Sequence, residues 1–264
     1  MVASSPVTVF LLASLLLTTT PLFVRGQTDN WSMFRHDINH SGYSSSLMPH
    51  PIQMDSLWTY VVPPSPSRAI YSSPAVVDGK VYFVSRDKRL RCLDADTGSL
   101  VWTSSLGNSW DTDYPEQFYI KWDSSPAVID GSPALVIVGA RDGKCYAFDA
   151  TSGFPVWERT LDDGGVVISS PVCFDGRVYI TSSGGDTRLF MLDSNTGVVL
   201  GSLVDGTAPS EGSPVVKAPR EEDPTPVMVY FARGLSVCGA SAEHTNLDRV
   251  RKGPFSASSP EDLF

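Results

Sequence analysis

The sequence predicts an all-β protein made of repeated four-stranded antiparallel modules, and three observations support this fold class. A Ser-Pro pair recurs along the chain, each time ahead of short apolar runs rich in Val, Ile, Tyr and Phe. Asp-Gly pairs and Asp-x-x-Thr-Gly segments separate these runs, as turns between antiparallel strands require. The 264 residues include 21 glycines and 20 prolines, an abundance of turn formers that argues against a helical bundle.

Composition and charge narrow the class of function. Hydrophobic side chains make up 42% and charged side chains 19% of the chain, as in ordinary globular proteins. Asp and Glu (29 residues) outnumber Lys and Arg (20 residues), so the net charge is −9. Because neutralising a phosphate backbone needs a cationic surface, this balance argues against a nucleic-acid partner.

Residues 1–26 have the pattern of a secretory signal peptide. The uninterrupted apolar stretch 7–17 is shorter than the roughly 20 residues that span a bilayer. Cleavage after Gly26 would leave Gln27 at the start of a secreted or extracytoplasmic protein without a membrane span. No Lys or Arg precedes the apolar stretch, so a retained membrane anchor is the alternative.

A secretory route bears on the cysteines and on two asparagines. The cysteines are Cys92, Cys145, Cys173 and Cys238. In an oxidising compartment they form disulfides in one of three possible pairings, or they remain small buried side chains in strands. Asn30 and Asn39 each begin an Asn-x-Ser sequence, so both are candidate glycosylation sites in a eukaryotic host.

The repeat has a period of about 45 residues and begins at each Ser-Pro pair. The pairs are Ser73-Pro74, Ser125-Pro126, Ser170-Pro171, Ser213-Pro214 and Ser259-Pro260. Successive prolines are 52, 45, 43 and 46 residues apart. Modules therefore begin near residues 72, 124, 169 and 212, the fourth decays after 227–232, and the fifth keeps only its start.

Each complete module has four apolar runs, joined in the same order by two kinds of turn. The first two runs flank an Asp-Gly pair, which favours a type I′ hairpin because both residues accept positive φ. The last two flank Asp-x-x-Thr-Gly or its Ser variant, in which the Asp accepts backbone N–H groups and the Gly takes a left-handed conformation. The pairs lie at 78–79, 130–131 and 175–176, and the longer turns at 94–98, 149–153 and 193–197.

A lone four-stranded sheet would leave an apolar face in water. Stacking the modules face to face around an axis buries these faces, and this arrangement is a β-propeller. We therefore expect an N-terminal lead-in over 27–56 and propeller repeats over 57–264, with a degenerate C-terminal end. With about four blades, we expect an incomplete ring: a fragment, the product of a truncated gene, or half of an assembled ring.

The pattern Asp-x-x-Thr-Gly-x-x-x-Trp resembles the repeat of pyrroloquinoline-quinone-type (quinoprotein-like) β-propellers. In that family the Trp docks against the neighbouring blade, which implies docking rather than stacking on a sugar or quinone. The matching residues are Asp94, Thr97, Gly98, Trp102, Asp149, Gly153, Trp157, Asp193, Thr196 and Gly197. Ser152 replaces Thr in the second copy, and Gly201 replaces Trp in the third. The segment 31–42 resembles the family's lead-in, and 58–62 resembles the strand that closes its last blade.

The resemblance also implies how an enzyme of this family would be recognised. Its quinone-dependent dehydrogenases stack pyrroloquinoline quinone on a ring formed by adjacent cysteines, and they hold calcium with acidic and amide side chains. This sequence has no Cys-Cys pair, and no calcium ligands can be placed on matching positions. No cofactor, metal or catalytic residue is therefore assigned, and quinone and calcium belong only to an alternative function.

Two further sequence patterns are candidate binding sites. His36, Asp37 and His40 are metal ligands by residue type, but an extended lead-in need not bring them together, and a structural latch is the preferred interpretation. The irregular insertion 109–122 is rich in Trp, Tyr, Asp and Glu, which suits a glycan or a basic peptide. A loop that only covers the propeller rim is the alternative for this insertion.

These patterns favour a secreted, non-catalytic binding or scaffold propeller. Its expected ligand is a protein or a glycan, bound at a propeller face or by the 109–122 loop, and self-association is expected if the ring is incomplete. The alternative is a quinone-dependent dehydrogenase of alcohols or sugars, or a truncated remnant of one. A clear architecture with no recognisable catalytic constellation is what favours the first interpretation.

Overall fold

The described part of the protein is all-β, which confirms the predicted fold class. The computed structural model describes residues 30–44, 56–64, 69–107, 123–161, 165–183, 188–204, 212–219, 226–233, 236–243 and 246–250. The predicted signal peptide at 1–26, the 109–122 insertion and the fifth Ser-Pro start lie outside these residues. Within the described ranges, no helix is long and apolar enough to cross a membrane.

In the described residues, sixteen strands form four antiparallel sheets, each of four strands consecutive in the chain. We call the sheets blades 1 to 4. Blade 1 contains β1 (Ala75–Val77), β2 (Lys80–Ser85), β3 (Arg89–Asp94) and β4 (Leu100–Ser105). Blade 2 contains β5 (Ala127–Ile129), β6 (Leu135–Gly139), β7 (Lys144–Asp149) and β8 (Pro155–Thr160). Blade 3 contains β9 (Val172–Phe174), β10 (Arg177–Ser182), β11 (Arg188–Asp193) and β12 (Val199–Val204).

Blade 4 is a complete sheet, although its sequence decays. It contains β13 (Val215–Lys217), β14 (Val227–Arg233), β15 (Ser236–Glu243) and β16 (Asn246–Val250). The sequence pattern of this module decays after 227–232, but its backbone still forms four paired strands. Strand pairing uses main-chain groups, so a sheet can persist after the side-chain motif of its turn is lost.

The Asp-Gly pairs behave as predicted in blades 1 and 3 but not in blade 2. Asp78 and Gly79 have φ of 48° and 72°, and Asp175 and Gly176 have φ of 49° and 70°, as type I′ turns require. In blade 2, β5 and β6 are joined by the longer connection 130–134, and neither residue of its Asp-Gly pair has positive φ. This longer connection replaces the two-residue turn, so its Asp-Gly pair does not need positive φ.

All four blades share one irregularity, which shows that they are copies of one unit. The register between the third and fourth strands shifts at the same relative place in every blade. The shifts lie at Cys92/Leu93, Ala147/Phe148, Met191/Leu192 and Ala240/Ser241. A bulge of this kind increases local twist, which helps the outermost strand to follow a curved surface.

The first strands of the blades lie next to one another in chain order and mark the shared centre. β1 contacts β5, β5 contacts β9, and β9 contacts β13. In blades 2 and 3 the second and third strands are buried on both faces, because each of these sheets is covered by its neighbours, whereas the fourth strands mix exposed and half-buried residues. The described blades thus form an unclosed arc of a β-propeller.

The lead-in crosses this centre instead of lying on the rim. Trp31 pairs antiparallel with Val76 of β1, with N···O distances of 2.7 and 2.8 Å. The carbonyl of Ser32 accepts from the N–H of Val128 in β5, and the carbonyl of Ile38 accepts from the N–H of Val216 in β13. The lead-in therefore ties blades 1, 2 and 4 together through their first strands.

A second short segment, 56–64, covers part of the free face of blade 1. Trp58, Tyr60 and Val62 point inward and pack with Phe83 and Leu93 in a small hydrophobic cluster. Alternate side chains of the same segment point outward, with Leu57 and Val61 left 87% and 74% exposed. Among the described residues, no backbone hydrogen bond joins this segment to a sheet, so its contacts with blade 1 are made by side chains.

Candidate functional site

The repeat motif forms joints between blades. The indole of Trp102, from blade 1, lies on Gly153 of blade 2, and its Nε1–H donates to the carbonyl of Ala150 at 3.0 Å. A Cβ at Gly153 would lie 2.6 Å from the indole ring, and its φ is +74°. Only glycine gives both the left-handed backbone and the close approach, so these two residues define a specific fit.

Two more joints repeat this geometry. Trp157 of blade 2 lies on Gly197 of blade 3 and donates from Nε1 to the carbonyl of Ser194 at 3.0 Å. Trp58, in the segment before blade 1, lies on Gly98 and donates to the carbonyl of Ala95 at 2.9 Å. Trp102 is buried and the other two indoles are half-buried, and each ring packs on the glycine of a turn in the blade that follows it.

Blade 3 has no indole to offer to blade 4. Gly201 lies in β12 opposite Met191, at the place where β4 and β8 carry their tryptophans. Blade 4 is instead approached by the strands themselves, because β12 contacts β16. In the other joints, the glycine of the Asp-x-x-Thr-Gly turn receives the indole of the preceding blade. Because blade 3 has no indole at Gly201, blade 4 does not need such a turn.

The aspartates of the motif stabilise their own turns. Asp149 Oδ1 accepts from the N–H groups of Thr151 and Ser152 at 3.0 and 2.7 Å, and from Ser152 Oγ at 2.7 Å. Asp94 and Asp193 make the same three kinds of bond in their turns. These hydrogen bonds lower the pKa of all three carboxyls, with the side-chain hydroxyl the largest cause. The carboxylates act as turn residues in this arrangement.

A chain of serine contacts links the blades at the start of their first strands. Ser73 N–H donates to Ser125 Oγ at 2.9 Å, Ser125 N–H to Ser170 Oγ at 3.0 Å, and Ser170 N–H to Ser213 Oγ at 2.9 Å. We call this chain the serine ladder. The Ser-Pro repeat located these residues, but the sequence alone did not reveal that each hydroxyl accepts from the preceding blade.

In blades 1 and 3, the serine before the ladder serine fixes its own blade. Ser72 Oγ accepts from the N–H of Val84 and donates to its carbonyl, at 3.0 and 2.9 Å. Ser169 Oγ makes the same pair of bonds with Thr181, at 2.9 Å each. The Ser-Ser-Pro sequence thus joins the first strand to the second strand with one hydroxyl and to the preceding blade with the other.

An ion pair lies at this end of blade 2 and was missed from the sequence. The side chain of Asp123 is fully buried, and its Oδ1 accepts from Arg141 Nε at 3.2 Å. Asp123 Oδ2 has no partner among the described residues. Burial raises the pKa of Asp123, while Arg141 and, more weakly, Arg86 act in the opposite direction.

Comparison of the modules provides the signal that would have found this pair. Arg86 and Arg141 occupy the same place, in the turn between the second and third strands. Ahead of the Ser-Ser-Pro sequence, blade 1 has Tyr71 and blade 2 has Asp123. Arg86 accordingly lies over the ring of Tyr71, 5.5 Å from its centroid, where Arg141 pairs with the carboxylate.

The lead-in histidines are packed against aromatic rings. The His36 ring meets Trp31 edge-on at a centroid distance of 4.9 Å, and the His40 ring meets Phe34 at 5.3 Å. Asp37 is used locally, since its carboxylate accepts from the N–H of Asn39 and Ser41. Among the described residues, no group of three or more His, Cys, Asp or Glu is arranged to hold a metal ion.

Beside the lead-in, an apolar groove of about 560 Å³ opens next to the first strand of blade 1. It is lined by Trp31, Phe34, Arg35, Ser73, Pro74 and Val76. Aromatic and aliphatic walls with few polar atoms suit an apolar side chain better than a soluble cofactor.

The cysteines are buried free thiols in four different strands, β3, β7, β9 and β15. Burial raises the pKa of Cys92 to about 11 and that of Cys173 to about 12. Cys92 and Cys173 therefore agree with the second of the two predicted alternatives, in which the cysteines are small buried side chains in strands rather than disulfides. The candidate glycosylation sites differ in their engagement: Asn30 Nδ2 donates to Asp78 Oδ1 at 3.2 Å, whereas Asn39 is exposed.

Comparison with known proteins identifies the repeat class. A family profile described as "Outer membrane protein assembly factor BamB" matches residues 55–111 and 86–234. A 1-butanol dehydrogenase (cytochrome c) of Thauera butanivorans is 28% identical over 187 residues, which cover 66% of this chain and 25% of the relative. Outer membrane protein assembly factor BamB of Yersinia pestis is 28% identical over 130 residues, covering 49% of this chain and 31% of the relative. The chain thus spans a quarter to a third of these relatives.

Solved structures show the same fold. A quinohemoprotein alcohol dehydrogenase from Pseudomonas putida HK5 matches with a TM-score of 0.61 at 16% identity, covering 84% of this chain and 40% of that one. The quinohemoprotein alcohol dehydrogenase of Comamonas testosteroni matches with a TM-score of 0.59 at 17% identity, covering 84% and 41%. The likeness extends over most of the arc and establishes the β-propeller architecture.

Proposed function

Because this chain belongs to the family described as outer membrane protein assembly factor BamB, a family of quinoprotein-like propeller repeats, we propose that it is a binding propeller that acts outside the cytoplasm. Its ligand in this proposal is a protein, and its role is to hold that protein rather than to transform it. The curated relatives include both dehydrogenases and an assembly factor. The choice between these two functions therefore has to rest on the surface residues of this chain.

The observation that carries the proposal is the surface at the serine-ladder end of blade 1. Ile70 and Tyr71 are 46% and 37% exposed there, and Arg86 lies over the Tyr71 ring. Tyr and Arg are the residue types that concentrate binding energy in protein interfaces. The cation–π contact holds the ring in place before a partner arrives, which reduces the entropy cost of binding.

Neighbouring residues also order the surface at the serine-ladder end of blades 1 and 2. The buried pair Asp123–Arg141 fixes the adjacent corner of blade 2, directly after the insertion 109–122. The net charge of −9 gives the chain a long-range attraction for cationic partners. A basic protein that presents an apolar side chain for Tyr71 is the ligand that this chemistry favours.

Site-specific crosslinking tests the proposal. A photoreactive amino acid replaces Tyr71 in one variant and Val156, which is 43% exposed on blade 2, in a matched control. We expect a discrete adduct with a basic extracytoplasmic protein for the first variant and none for the control. Arg86→Glu should reduce that adduct at least tenfold. Equal labelling at both positions would refute a specific surface at Tyr71.

The second candidate is a quinone-dependent dehydrogenase, which the similarity to 1-butanol dehydrogenase and quinohemoprotein alcohol dehydrogenase favours. The residues described here do not fit the cofactor as the family holds it. The four thiols lie in four strands of the sheets instead of forming an adjacent pair, and Asp123 is paired with Arg141. We therefore derive no catalytic step for this chain.

A direct assay separates the two functions. Purified protein is mixed with pyrroloquinoline quinone and calcium, and quinone absorbance and dye reduction are recorded with ethanol and with glucose. The binding proposal expects no change in quinone absorbance and no turnover. Stoichiometric quinone uptake with dye reduction would replace it with the dehydrogenase.

A further inference from the structure

A pocket of about 370 Å³ opens between blade 1 and the segment that precedes it. Tyr60, Pro63 and Pro64 form the wall on the side of the segment, and Arg89 and Arg91 of β3 lie on the side of the blade. The pocket therefore combines an apolar wall with a charged one, which is the composition typical of sites for small organic molecules.

Arg91 is a buried charge held in a fixed position. Its side chain is 2% exposed, and its guanidinium donates to Asp87 Oδ1 at 3.0 Å, to Asp87 Oδ2 and to Ser85 Oγ. Burial would raise the pKa of Asp87, but hydrogen bonds from Arg91 and Ser85 lower it below its usual value, so this carboxylate stays ionised. The guanidinium is therefore a preorganised part of the pocket.

Arg89 has lost the partner that its counterpart in blade 2 keeps. Both Arg89 and Lys144 begin the third strand of their blade, and both are five residues before the Asp of the long turn. Lys144 Nζ pairs with Glu158 Oε1 at 2.9 Å, diagonally across the strands. In blade 1, Thr103 takes the place of Glu158 and also lines the pocket. Among the described residues, Arg89 makes no ion pair.

The charges of the pocket select the class of ligand. Arg89, Arg91 and Asp87 together leave one net positive charge at its wall. The positive potential is local, because residues 86–91 contain four cationic side chains and one carboxylate in a chain of net charge −9. A carboxylate balances one positive charge and fits the planar guanidinium fork. A phosphate monoester carries about −1.5 to −2 at neutral pH and would overcompensate it.

We propose that this pocket binds a small organic carboxylate, whose charged end meets Arg89 and whose apolar part lies against Tyr60 and the two prolines. Arg91 supports the anion from within the blade, while Asp87 holds the buried guanidinium in place. This inference goes beyond the proposed function and does not depend on it, because a ligand of this size needs no partner protein.

Ligand-observed NMR titrations of the purified full chain with benzoate test the proposal. We expect saturable binding with a dissociation constant of about 1 mM or tighter. Acetate lacks the apolar part and benzyl alcohol lacks the charge, so each should bind at least tenfold more weakly. If either binds as tightly as benzoate, or if phenyl phosphate binds more tightly, the assigned ligand class is wrong. Failure to saturate at about 20 mM benzoate would overturn the site itself.

Two substitutions at exposed positions place the binding at this pocket. Arg89→Gln should weaken benzoate binding at least tenfold, whereas Arg188→Gln, at the same place in blade 3, should leave it unchanged. Thr103→Glu copies the Lys144–Glu158 arrangement into blade 1 and should also weaken binding at least tenfold, because the new carboxylate pairs with Arg89.

Thr103→Gln has a side chain of the same length without the charge, so it provides the control for steric blocking and should bind more tightly than Thr103→Glu. Urea unfolding verifies that every variant is folded. Unchanged binding in both Arg89→Gln and Thr103→Glu, or an equal loss in Arg188→Gln, would overturn the proposal. These titrations use no partner protein, so their outcome is independent of the crosslinking experiment.

Discussion

The indole of Trp102 lies on the α-carbon of Gly153, and this contact joins the first blade to the second. The Nε1–H of the indole donates to the carbonyl of Ala150, so the ring is fixed at its edge as well as its face. The same relationship recurs between Trp157 and Gly197. Each joint combines apolar burial, a hydrogen bond and a left-handed glycine, and each can be tested separately.

Gly153→Ala should be more destabilising than the same change at Gly176. Both glycines have positive φ, +74° and +70°, so alanine costs about 1–2 kcal/mol of backbone strain at either position. At Gly153 the new methyl group also meets the Trp102 ring at 2.6 Å, whereas nothing lies within 4 Å at Gly176. Overpacking adds roughly 1–3 kcal/mol. Denaturant unfolding measures both losses, and equal values would contradict the close contact.

Trp102→Ala should lower the free energy of unfolding by about 3–5 kcal/mol, because it removes a buried ring and leaves a carbonyl unpaired. Trp157 is half-buried, so its replacement should cost less. Val156→Ala, at an exposed position in the same strand as Trp157, provides the control and should change stability by less than about 0.5 kcal/mol. A loss under about 1 kcal/mol for Trp102→Ala would indicate an exposed role for the ring.

Removing Arg141 should harm the protein more than neutralising Asp123. Arg141→Gln leaves a fully buried carboxylate without its counter-charge, a change that typically costs about 3–5 kcal/mol. Burial already disfavours the charged form of Asp123. Asp123→Asn removes that charge, so it should lower the free energy of unfolding by less. Urea unfolding at neutral pH compares the two variants, and the reverse order would show that the pair stabilises mainly through the charge of Asp123.

The same pair predicts a pH dependence. The pKa of Asp123 is raised in the folded protein, so the folded state holds this proton more tightly than the unfolded state does. Its contribution to stability is therefore greatest below the unfolded pKa of about 4 and is lost as pH rises through the folded pKa. The stability of Asp123→Asn relative to the native sequence should improve from pH 4 towards pH 7. A constant difference across this window would contradict the raised pKa.

Acid should loosen the lead-in through His40. Burial lowers the pKa of this histidine, Arg35 lowers it further, and Asp37 opposes them weakly. The unfolded state therefore binds the proton more tightly, and stability present above about pH 6.5 is lost as pH falls towards the folded pKa. The protection of the amide hydrogens at the Trp31–Val76 bridge, relative to their intrinsic exchange rate at each pH, should fall over this range.

A neutral replacement separates this effect from general acid denaturation. His40→Gln should prevent most of the loss of protection, whereas Asn39→Gln, an exposed change in the same turn, should leave that loss unchanged. If both variants respond to acid like the native chain, the titrating group lies elsewhere.

The repeat could be predicted from the sequence because its turns are formed by residues close together in the chain. Asp149 and Ser152 form their turn within five residues, and an apolar run next to Asp-Gly predicts a hairpin from adjacent residues alone. The periodic recurrence of these signals predicted four stacked sheets. The same reasoning failed at the Asp130-Gly131 pair, where a longer connection replaces the two-residue turn. In blade 4 the strands pair although the sequence motif is lost.

What the sequence determined by itself is therefore the unit: four antiparallel strands, their turns, the Ser-Pro starts and the Trp and Gly positions that recur with them. What only the tertiary structure decided is which copies meet and through which atoms. The serine ladder, the Asp123–Arg141 pair and the passage of the lead-in across three first strands each join residues far apart in the chain. Turns depend on the dihedral angles of neighbouring residues, whereas these contacts depend on how sheets twist and stack around a common centre.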